Sequence, residues 1–363
     1  MRQTRISALW ISLFCLAVPF SSVLADLADP PPMLFTDTDT EQHFAKDPTV
    51  VNFQGTYYLY YSAGGRSGTH PDGRFRIGIA TSENLVDWVK IDELRWKDGA
   101  ETNGFAAPGA LVWRDQVHLF YQSYGNGPRD AICHAWSDDG VNFTRNANPV
   151  FRPEPTDARG RVWNSGRAID ANVIPHGDQL LLYWATRDPE HRLQMVGVSA
   201  APLDSRFGPD DWTQLSTEGP VLAPELPWEK NCIEASAMAR RHDRLYKFYG
   251  GAYNHERQQI GVAYSVNGLN FTRLCDQGPF KPYGEPGTWN SYEVGHPFYF
   301  QDVDGQGYLF YQGRAATEWG EDGTARRPGP YHLSMSVVRW EADPEGGPDR
   351  PVLVPHQPEP LTP

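Results

Sequence analysis

One strand-rich unit recurs five times in the chain at a nearly constant spacing, and this repeat limits the fold more than any other feature. Each copy opens with a short anchor segment, and the third residues of the five anchors are Asp47, Pro108, Asp170, Glu234 and His296. The intervals between these positions are 61, 62, 64 and 62 residues. Because self-similarity at a fixed period is the signature of a repeat architecture, the copies are predicted to be five equivalent structural units.

Each copy contains short runs that are typical of β-strands. An aromatic-rich run follows every anchor, at residues 57–61, 117–121, 180–184, 245–249 and 308–311. A third run follows in each copy, and a fourth begins with an aromatic residue in four copies, at Trp88, Phe143, Trp212 and Phe271. Four short strands per repeat, separated by turn residues, predict an all-β five-bladed β-propeller with four antiparallel strands per blade.

The last blade needs a partner segment to complete it. The fifth copy shows no recognisable fourth strand after Trp340. We therefore expect the N-terminal stretch at residues 33–36 to supply a strand to that blade and to close the ring. In a propeller the first strand of each blade lines a central channel, so the five anchors are expected to converge on one axis.

The first 25 residues have the pattern of an export signal. Arg2 and Arg5 precede an apolar run at residues 8–18, and a cleavage site is expected near Ala25. The apolar run is too short for a spanning helix, and no second run of spanning length follows. We therefore expect a signal peptide at 1–25, a single propeller domain at 26–363, a secreted or periplasmic protein, and no membrane association after cleavage.

The charge of the chain argues against nucleic acid as a partner. Asp and Glu number 45 against 32 Lys and Arg, for a formal net charge of -13. No Lys/Arg cluster is dense enough to neutralise a phosphate backbone.

The cysteines give little information about function. Cys15 would leave with the signal, so Cys133, Cys232 and Cys275 remain, which permits at most one internal disulfide. No Cys-x-x-Cys spacing suggests zinc. We interpret the three thiols as small, buried apolar side chains.

Three anchors carry acidic residues, Asp47, Asp170 and Glu234. A lone Asp before Pro48 would be typical of a turn, and a lone carboxylate is commonly solvated. Three acids held around one channel differ from a lone acid, because the crowding of like charges raises the pKa of at least one of them. Cleavage of a glycosidic bond needs one carboxylic acid to protonate the leaving oxygen and one carboxylate to activate water or attack carbon.

Three segments also resemble a known family. They are residues 46–51 leading into 55–62, residues 169–173, and residues 233–236 leading into 245–246. In order and spacing they are similar to glycoside hydrolase family 43, a five-bladed propeller family related to families 32, 62, 68, 117 and 130. The resemblance implies an inverting mechanism with Asp47 as general base, Asp170 as pKa modulator and orienter, and Glu234 as general acid. Ala235-Ser236 stands where family 43 often has Gly-Pro, so the subfamily stays open.

The fifth anchor, His296, has several interpretations. In arabinanase-like members of family 43 a histidine in a Gly-His motif helps to hold a central cation through water, so the resemblance implies a structural Ca²⁺ near His296, although calcium prefers oxygen ligands. No cofactor is expected to be required for the reaction. The alternatives are a hydrogen-bonded histidine, a substrate contact, or the catalytic acid, as assigned in family 117. Glu293 is expected on the rim of the pocket, with a solvated surface carboxylate as the alternative.

Aromatic and basic residues near the anchors are candidates for binding substrate. Trp163-Asn164 and Trp289-Asn290 each precede an anchor by about seven residues, and flat aromatic faces at the mouth of a cavity can stack on sugar rings. Packing inside the blades is the alternative. Arg314, like Arg66 and Arg187, follows the second strand of its blade and could grip substrate hydroxyls or an anionic substituent, or could be a surface charge.

These observations favour an exported glycoside hydrolase that acts on plant or algal polysaccharides or their oligosaccharides. The alternatives are a family 117-like anhydro-galactosidase with a histidine acid, a family 130-like phosphorylase with a basic phosphate site, and a sugar-binding propeller without catalysis. No nucleophile elbow, phosphate loop or zinc-protease helix motif occurs in the chain.

Overall fold

The computed structural model of the protein describes residues 33–39, 43–64, 73–95, 97, 99–157 and 159–354. These residues form five four-stranded antiparallel sheets in chain order, which confirms the predicted propeller. The predicted signal peptide and Arg66 lie outside the described residues. Among those residues, no helix is both long enough and apolar enough to cross a membrane.

Each blade is built from consecutive strands. Blade 1 contains β1 (Lys46–Phe53), β2 (Thr56–Gly64), β3 (Phe75–Ser82) and β4 (Val89–Glu93). Blade 2 contains β5 (Phe105–Trp113), β6 (Gln116–Ser123), β7 (Ile132–Ser137) and β8 (Thr144–Arg145). Blade 3 contains β9 (Ile169–His176), β10 (Gln179–Arg187), β11 (Gln194–Pro202) and β12 (Thr213–Gln214). Blade 4 contains β13 (Ile233–Arg241), β14 (Arg244–Gly251), β15 (Gln259–Ser265) and β16 (Thr272–Arg273).

Blade 5 carries an insertion. Its sheet contains β17 (Glu293–Gln301), β18 (Gly307–Arg314), β21 (His332–Glu341) and β22 (Arg350–Leu353). A two-stranded hairpin, β19 (Ala316–Trp319) and β20 (Ala325–Pro328), is inserted between its second and third strands. Three short 3₁₀ helices complete the described elements, at Gly127–Arg129, Pro227–Glu229 and Asn254–Glu256.

The ring closes in two ways. Phe35 exchanges backbone hydrogen bonds of 2.9 and 2.8 Å with Leu333 of β21, so the N-terminal segment does join the last blade, as predicted. The regular fourth strand, however, is β22, which pairs with β21 along the same edge. The expectation that the fifth copy has no fourth strand of its own is therefore corrected; the short sequence Arg350–Leu353, with a proline inside it, gave no strand signal.

Aromatic side chains of the second strands fill the spaces between blades. Tyr60, Tyr121, Tyr183 and Tyr246 are fully buried, and each such side chain contributes about 1.5–3 kcal/mol of burial free energy. Because neighbouring blades cover both faces of these strands, their sequences are almost continuously apolar rather than alternating. The three cysteines are buried free thiols, as interpreted from the sequence.

The first strands form the inner ring that positions the site. Each first strand contacts the first strands of the two adjacent blades, and β1 contacts β17. Residues from every blade therefore face one axis.

Candidate active site

A β-bulge interrupts each first strand near the axis. In all five blades one non-glycine residue at the bulge has a positive φ: Asp47 (52°), Ala107 (48°), Asp170 (53°), Ala235 (53°) and His296 (41°). Such a conformation costs of the order of 1–3 kcal/mol per residue, and it persists where the surrounding structure imposes it. A bulge bends the strand and redirects a side chain. The repeated bulge therefore directs side chains of five strands towards the channel.

The structure shifts two of the five predicted anchors by one residue. Blades 2 and 4 place Ala107 and Ala235 at the bulge, where the sequence alignment placed Pro108 and Glu234. Glu234 pairs with Gly250 just before its bulge, the same position that Lys46 holds against Ser62 in blade 1. Glu234 therefore approaches the axis from the position preceding the bulge, unlike Asp47 and Asp170.

The predicted acids nevertheless meet at one place, with His296 between two of them. His296 Nδ1 lies 2.8 Å from Asp47 Oδ1, and its Nε2 lies 3.2 Å from Glu234 Oε1. Ligand atoms of Asp170, Glu234 and His296 lie within 4.8 Å of one another. All four side chains are buried. The buried Asp170 Oδ2 has no hydrogen-bond partner among the described residues, and so it is available to a bound molecule.

Burial and mutual charge separate the proton affinities of these groups. Burial opposes the charge on His296, but the Asp47 carboxylate and hydrogen bonds with Asp47 and Glu234 raise its pKa to about 10. Burial likewise opposes ionisation of Asp47 and Glu234, but the His296 imidazolium, with Lys46, lowers the pKa of each. Near neutral pH the arrangement is carboxylate–imidazolium–carboxylate.

Asp170 behaves in the opposite way. Burial raises its pKa to about 7; His296 opposes the shift, and the nearby Glu234 and Asp47 carboxylates add to it. Asp170 is therefore the carboxyl group that gains and loses a proton around neutrality.

Two further groups hold Asp47. Ser62 Oγ donates a 2.6 Å hydrogen bond to Asp47 Oδ2, and Lys46 Nζ lies 3.2 Å from Asp47 Oδ1. Burial opposes the charge of Lys46, but Asp47, Glu234 and Glu293 raise its pKa. The ammonium group is therefore a fixed positive charge beside the predicted base.

The four groups face a cavity of about 160 Å³. Its wall also contains the cationic side chains of Lys46, Arg167 and Arg187. Arg167 is paired with Asp130 at 3.0 Å, whereas the Nε of Arg187 donates to Gln194. A larger groove of about 430 Å³ lies between the outer strands of blades 1 and 2, but its lining includes none of the predicted catalytic residues.

The two Trp-Asn pairs lie within the blades. Trp163 packs on Trp184 with ring centroids 6.0 Å apart, and Trp289 stacks on Tyr311 at the same distance. Asn164 donates to the Glu154 carbonyl, and Asn290 accepts from Thr288. None of the four residues is among those lining the cavity. Both Trp-Asn pairs therefore pack inside their blades, which is the alternative given above. A tryptophan seven residues before an anchor contacts the second strand of its own blade.

Glu293 and Arg314 also lie away from the expected rim. Glu293 is fully buried, and its Oε2 accepts hydrogen bonds of 2.9 and 2.6 Å from Arg314. The guanidinium of Arg314 lies 4.3 Å from the centre of the Tyr331 ring. The rim position predicted for Glu293 is corrected, since this ion pair lies beneath the cavity wall and acts on the site through Lys46.

Four glutamines near the site escaped prediction. Gln122, Gln194, Gln258 and Gln312 are buried and contact the anchors of neighbouring blades. Uncharged amides scattered over the chain carry no spacing signal, so only the assembled ring shows them. Tyr253 and Asn254 reach the cavity from the start of the 3₁₀ helix Asn254–Glu256 and likewise gave no signal in the repeat alignment.

The residues fit a calcium ion poorly. Both ring nitrogens of His296 face carboxylates, and calcium prefers six to eight oxygen ligands. Asp170 and Glu234 would be the oxygen donors that the cluster offers. The predicted calcium stays a prediction, and no catalytic step below passes through a metal.

Comparison with known proteins identifies a family for the chain. The model of the family "Glycosyl hydrolases family 43" matches residues 40–344. A 1,2-beta-oligomannan phosphorylase from Thermoanaerobacter sp. (strain X514) is 28% identical over 231 residues, which are 61% of this chain and 69% of that protein. A beta-fructofuranosidase, insoluble isoenzyme 6, from Oryza sativa subsp. japonica is 26% identical over 175 residues, 42% of this chain and 28% of that protein.

Solved structures share the fold. A thermostable family-43 glycoside hydrolase superposes with a TM-score of 0.65 at 17% identity, covering 90% of this chain and 98% of the other. An alpha-L-arabinofuranosidase from Lactobacillus brevis superposes with a TM-score of 0.60 at 14% identity, covering 88% and 96%. At these identities the likeness extends to the fold alone.

Proposed function

The chain belongs to glycosyl hydrolases family 43, and on that premise we propose that it is an exported, inverting glycoside hydrolase acting on plant or algal polysaccharides or their oligosaccharides. Its class as a glycoside hydrolase with a carbohydrate substrate follows from the family. The sugar, the mechanism and the export belong to the proposal.

The single observation that carries the mechanism is the line of Asp47, His296 and Glu234 beside the cavity. Asp47 stays ionised because His296 and Lys46 lower its pKa. A carboxylate that is ionised at the cavity wall has the protonation state that a general base needs in order to take a proton from water as that water attacks the anomeric carbon. Asp47 is accordingly the proposed general base.

The proton for the leaving oxygen comes from the His296–Glu234 pair. His296 Nε2 carries a proton that faces Glu234 Oε1. Negative charge developing on the leaving oxygen favours transfer of this proton to Glu234 and on to that oxygen. The glutamate acid and the histidine acid are thus alternative locations of one proton, and the coupled pair titrates as a unit.

Asp170 supplies a hydrogen bond to the sugar. Below a pH of about 7 it is protonated, so its free oxygen and its hydroxyl can accept and donate to ring hydroxyls. Its neutral state also avoids a third negative charge beside Glu234.

The spacing of the carboxylates supports inversion. The imidazole ring of His296 lies between Asp47 and Glu234, with its two nitrogens 2.8 and 3.2 Å from their carboxylate oxygens. Inverting enzymes need the wider separation, about 6.5–9.5 Å, to leave room for water, whereas retaining enzymes hold the two groups about 5 Å apart.

A substrate panel tests the proposal. The mature protein is incubated with oligosaccharides of arabinan, xylan, agar, carrageenan and porphyran, and products are followed by NMR. Asp47→Asn and Glu234→Gln serve as matched isosteric controls. Cleavage of one substrate class by the wild type, lost in both variants, is expected; cleavage that survives either substitution would overturn the catalytic assignment.

Phosphorolysis is the second candidate, favoured by the cationic wall of the cavity. Lys46, Arg167 and Arg187 line it, and the guanidinium group suits a phosphate oxyanion. The similarity to an oligomannan phosphorylase points the same way. Adding inorganic phosphate to the same panel separates the candidates: a sugar 1-phosphate indicates a phosphorylase, and unchanged free sugar indicates a hydrolase.

A further inference from the structure

We propose that Gln258 is a positioning residue that limits the strength of the Glu234–His296 hydrogen bond, an inference that rests on the proposed function of that pair. Gln258 immediately precedes β15 in blade 4 and is fully buried. It is not among the residues lining the cavity, so it acts through its neighbours rather than on the sugar.

The amide of Gln258 joins two blades. Its Nε2 donates to Glu234 Oε1 at 2.7 Å and to the Ala252 carbonyl at 3.0 Å, both within blade 4. Its Oε1 accepts from the backbone N–H of His296 in blade 5 at 3.1 Å. Two acceptors on one side and a backbone donor on the other fix the orientation of the amide, and only a side chain with both functions satisfies them.

The surrounding backbone is shaped around this amide. A Cβ at Gly295 would lie 1.7 Å from Gln258 Oε1, and one at Gly250 would lie 2.9 Å from its Cδ. Neither glycine is among the residues with positive φ, so glycine is required there for space rather than for backbone conformation. A buried slot that fits one amide argues for a specific role.

Equivalent amides occur at two other bulges. Gln312 Oε1 accepts the backbone N–H of Asp47 at 3.1 Å, and Gln122 Oε1 accepts that of Asp170 at 2.7 Å. In blade 2, where the bulge carries Ala107, a serine hydroxyl from Ser62 takes this place. The three bulges that carry a titratable side chain are thus each held by a glutamine from the preceding blade.

Gln258 differs from the other two because it also binds a catalytic carboxylate. Glu234 Oε1 receives donors from both Gln258 and His296. When the amide of Gln258 is removed, His296 is the one of these two donors that remains on Glu234 Oε1. The Nε2–H···Oε1 bond should then shorten and strengthen. The Nδ1–H bond to Asp47 should stay as it is, because no atom of Gln258 contacts Asp47 among the described contacts.

The experiment compares Gln258→Met, of similar shape, with Gly295→Ala, which displaces the amide without replacing it. Gly313→Ala is the matched control, because its Cβ would clash with Trp289 in the same blade, 2.6 Å away, and its nearest neighbours do not include Gln258. Proteins with ¹⁵N-labelled histidine are examined by NMR at neutral pH. The two ring N–H resonances of His296 are assigned by their loss in His296→Gln.

In both test variants the Nε2–H resonance is expected to move downfield while Nδ1–H stays, and kcat is expected to fall about tenfold to 100-fold with KM nearly unchanged. Gly313→Ala should lower stability without moving either resonance. Unchanged resonances in Gln258→Met, or equal shifts of both, would overturn the proposal. This readout needs no substrate, so it remains decisive even if the wild type cleaves no glycoside.

Discussion

His296 Nδ1 lies 2.8 Å from Asp47 Oδ1, although the two residues belong to the last and the first blades. The pair exists only when the ring is closed, and β1 contacts β17 at that seam. The imidazolium lowers the pKa of the predicted base and faces the predicted acid with its other nitrogen. The predicted base and His296 therefore meet at the contact between the first and the last blade.

Replacing His296 should change the pH range of activity. Glutamine at this position removes the positive charge that lowers the pKa of Asp47, so that pKa rises. The acidic limb of the kcat/KM profile should then move to higher pH, and kcat should fall about 100-fold. His176→Gln, at the outer end of β9, is the control and should match the wild type. An acidic limb that does not move would contradict the role given to His296.

Asp170→Asn should be milder than the other acidic substitutions. The amide mimics the protonated carboxyl group, and the pKa of Asp170 is raised to about 7, so the wild type carries that form at acidic pH. The variant should keep activity within about tenfold near pH 5.5 and lose the wild-type decline across neutrality. Initial rates from about pH 5 to 8 test this. Inactivity at every pH, as expected for Asp47→Asn, would show that Asp170 must ionise.

Much of this site could be predicted from the sequence, because the constant repeat brings Asp47, Asp170, Glu234 and His296 to one axis. The alignment could not give the register of the bulges, since Pro108 and Glu234 look equivalent to Asp47 while the backbone places Ala107 and Ala235 there. The sequence left the Trp-Asn pairs open between the cavity mouth and packing inside the blades, because a sequence does not state which face of a blade a tryptophan occupies. Gln258 was missed because its partners lie on two blades.

A buried histidine pair should make the fold sensitive to acid. His118 Nδ1 lies 3.0 Å from His134 Nε2, and Asn146 donates to the other nitrogen of His134. Burial lowers the pKa of His118 to about 4 and that of His134 to about 3. In the unfolded chain both take up protons near pH 6.5, so stability should be lost as the pH falls from 6.5 towards 4.

His134→Phe removes one of these groups within an aromatic environment that includes Phe120 and Phe207. Between pH 7 and 4.5 the variant should lose about 2 kcal/mol less unfolding free energy than the wild type. Urea unfolding at the two pH values measures the difference. Equal losses in both proteins would contradict the assignment of His134 as a neutral buried histidine.

Lys247→Met should stabilise the protein at neutral pH. Lys247 is fully buried, its Nζ donates to Ser236, and burial holds its pKa well below the usual value. Because the unfolded chain binds this proton more tightly, stability is lost as the pH falls below about 10. Methionine removes that cost, which should add about 1–3 kcal/mol at pH 7.

Lys281→Met is the control for this substitution, since Lys281 also lies over an aromatic ring, Tyr311, but is partly exposed. It should leave the urea midpoint nearly unchanged. A marked loss of stability in Lys247→Met would instead show that its contact with the Tyr183 ring, 3.7 Å from Nζ, outweighs the cost of burial.

The most direct test of the account is the anomeric configuration of the first product. A substrate of defined anomer, chosen from the oligosaccharide panel, is hydrolysed in the NMR tube, and the anomeric protons are recorded before mutarotation. With Asp47 activating water and the Glu234–His296 pair protonating the leaving oxygen, the first sugar released should have the opposite configuration, and Asp47→Asn should release none. A product of retained configuration would contradict the mechanism proposed for Asp47 and Glu234.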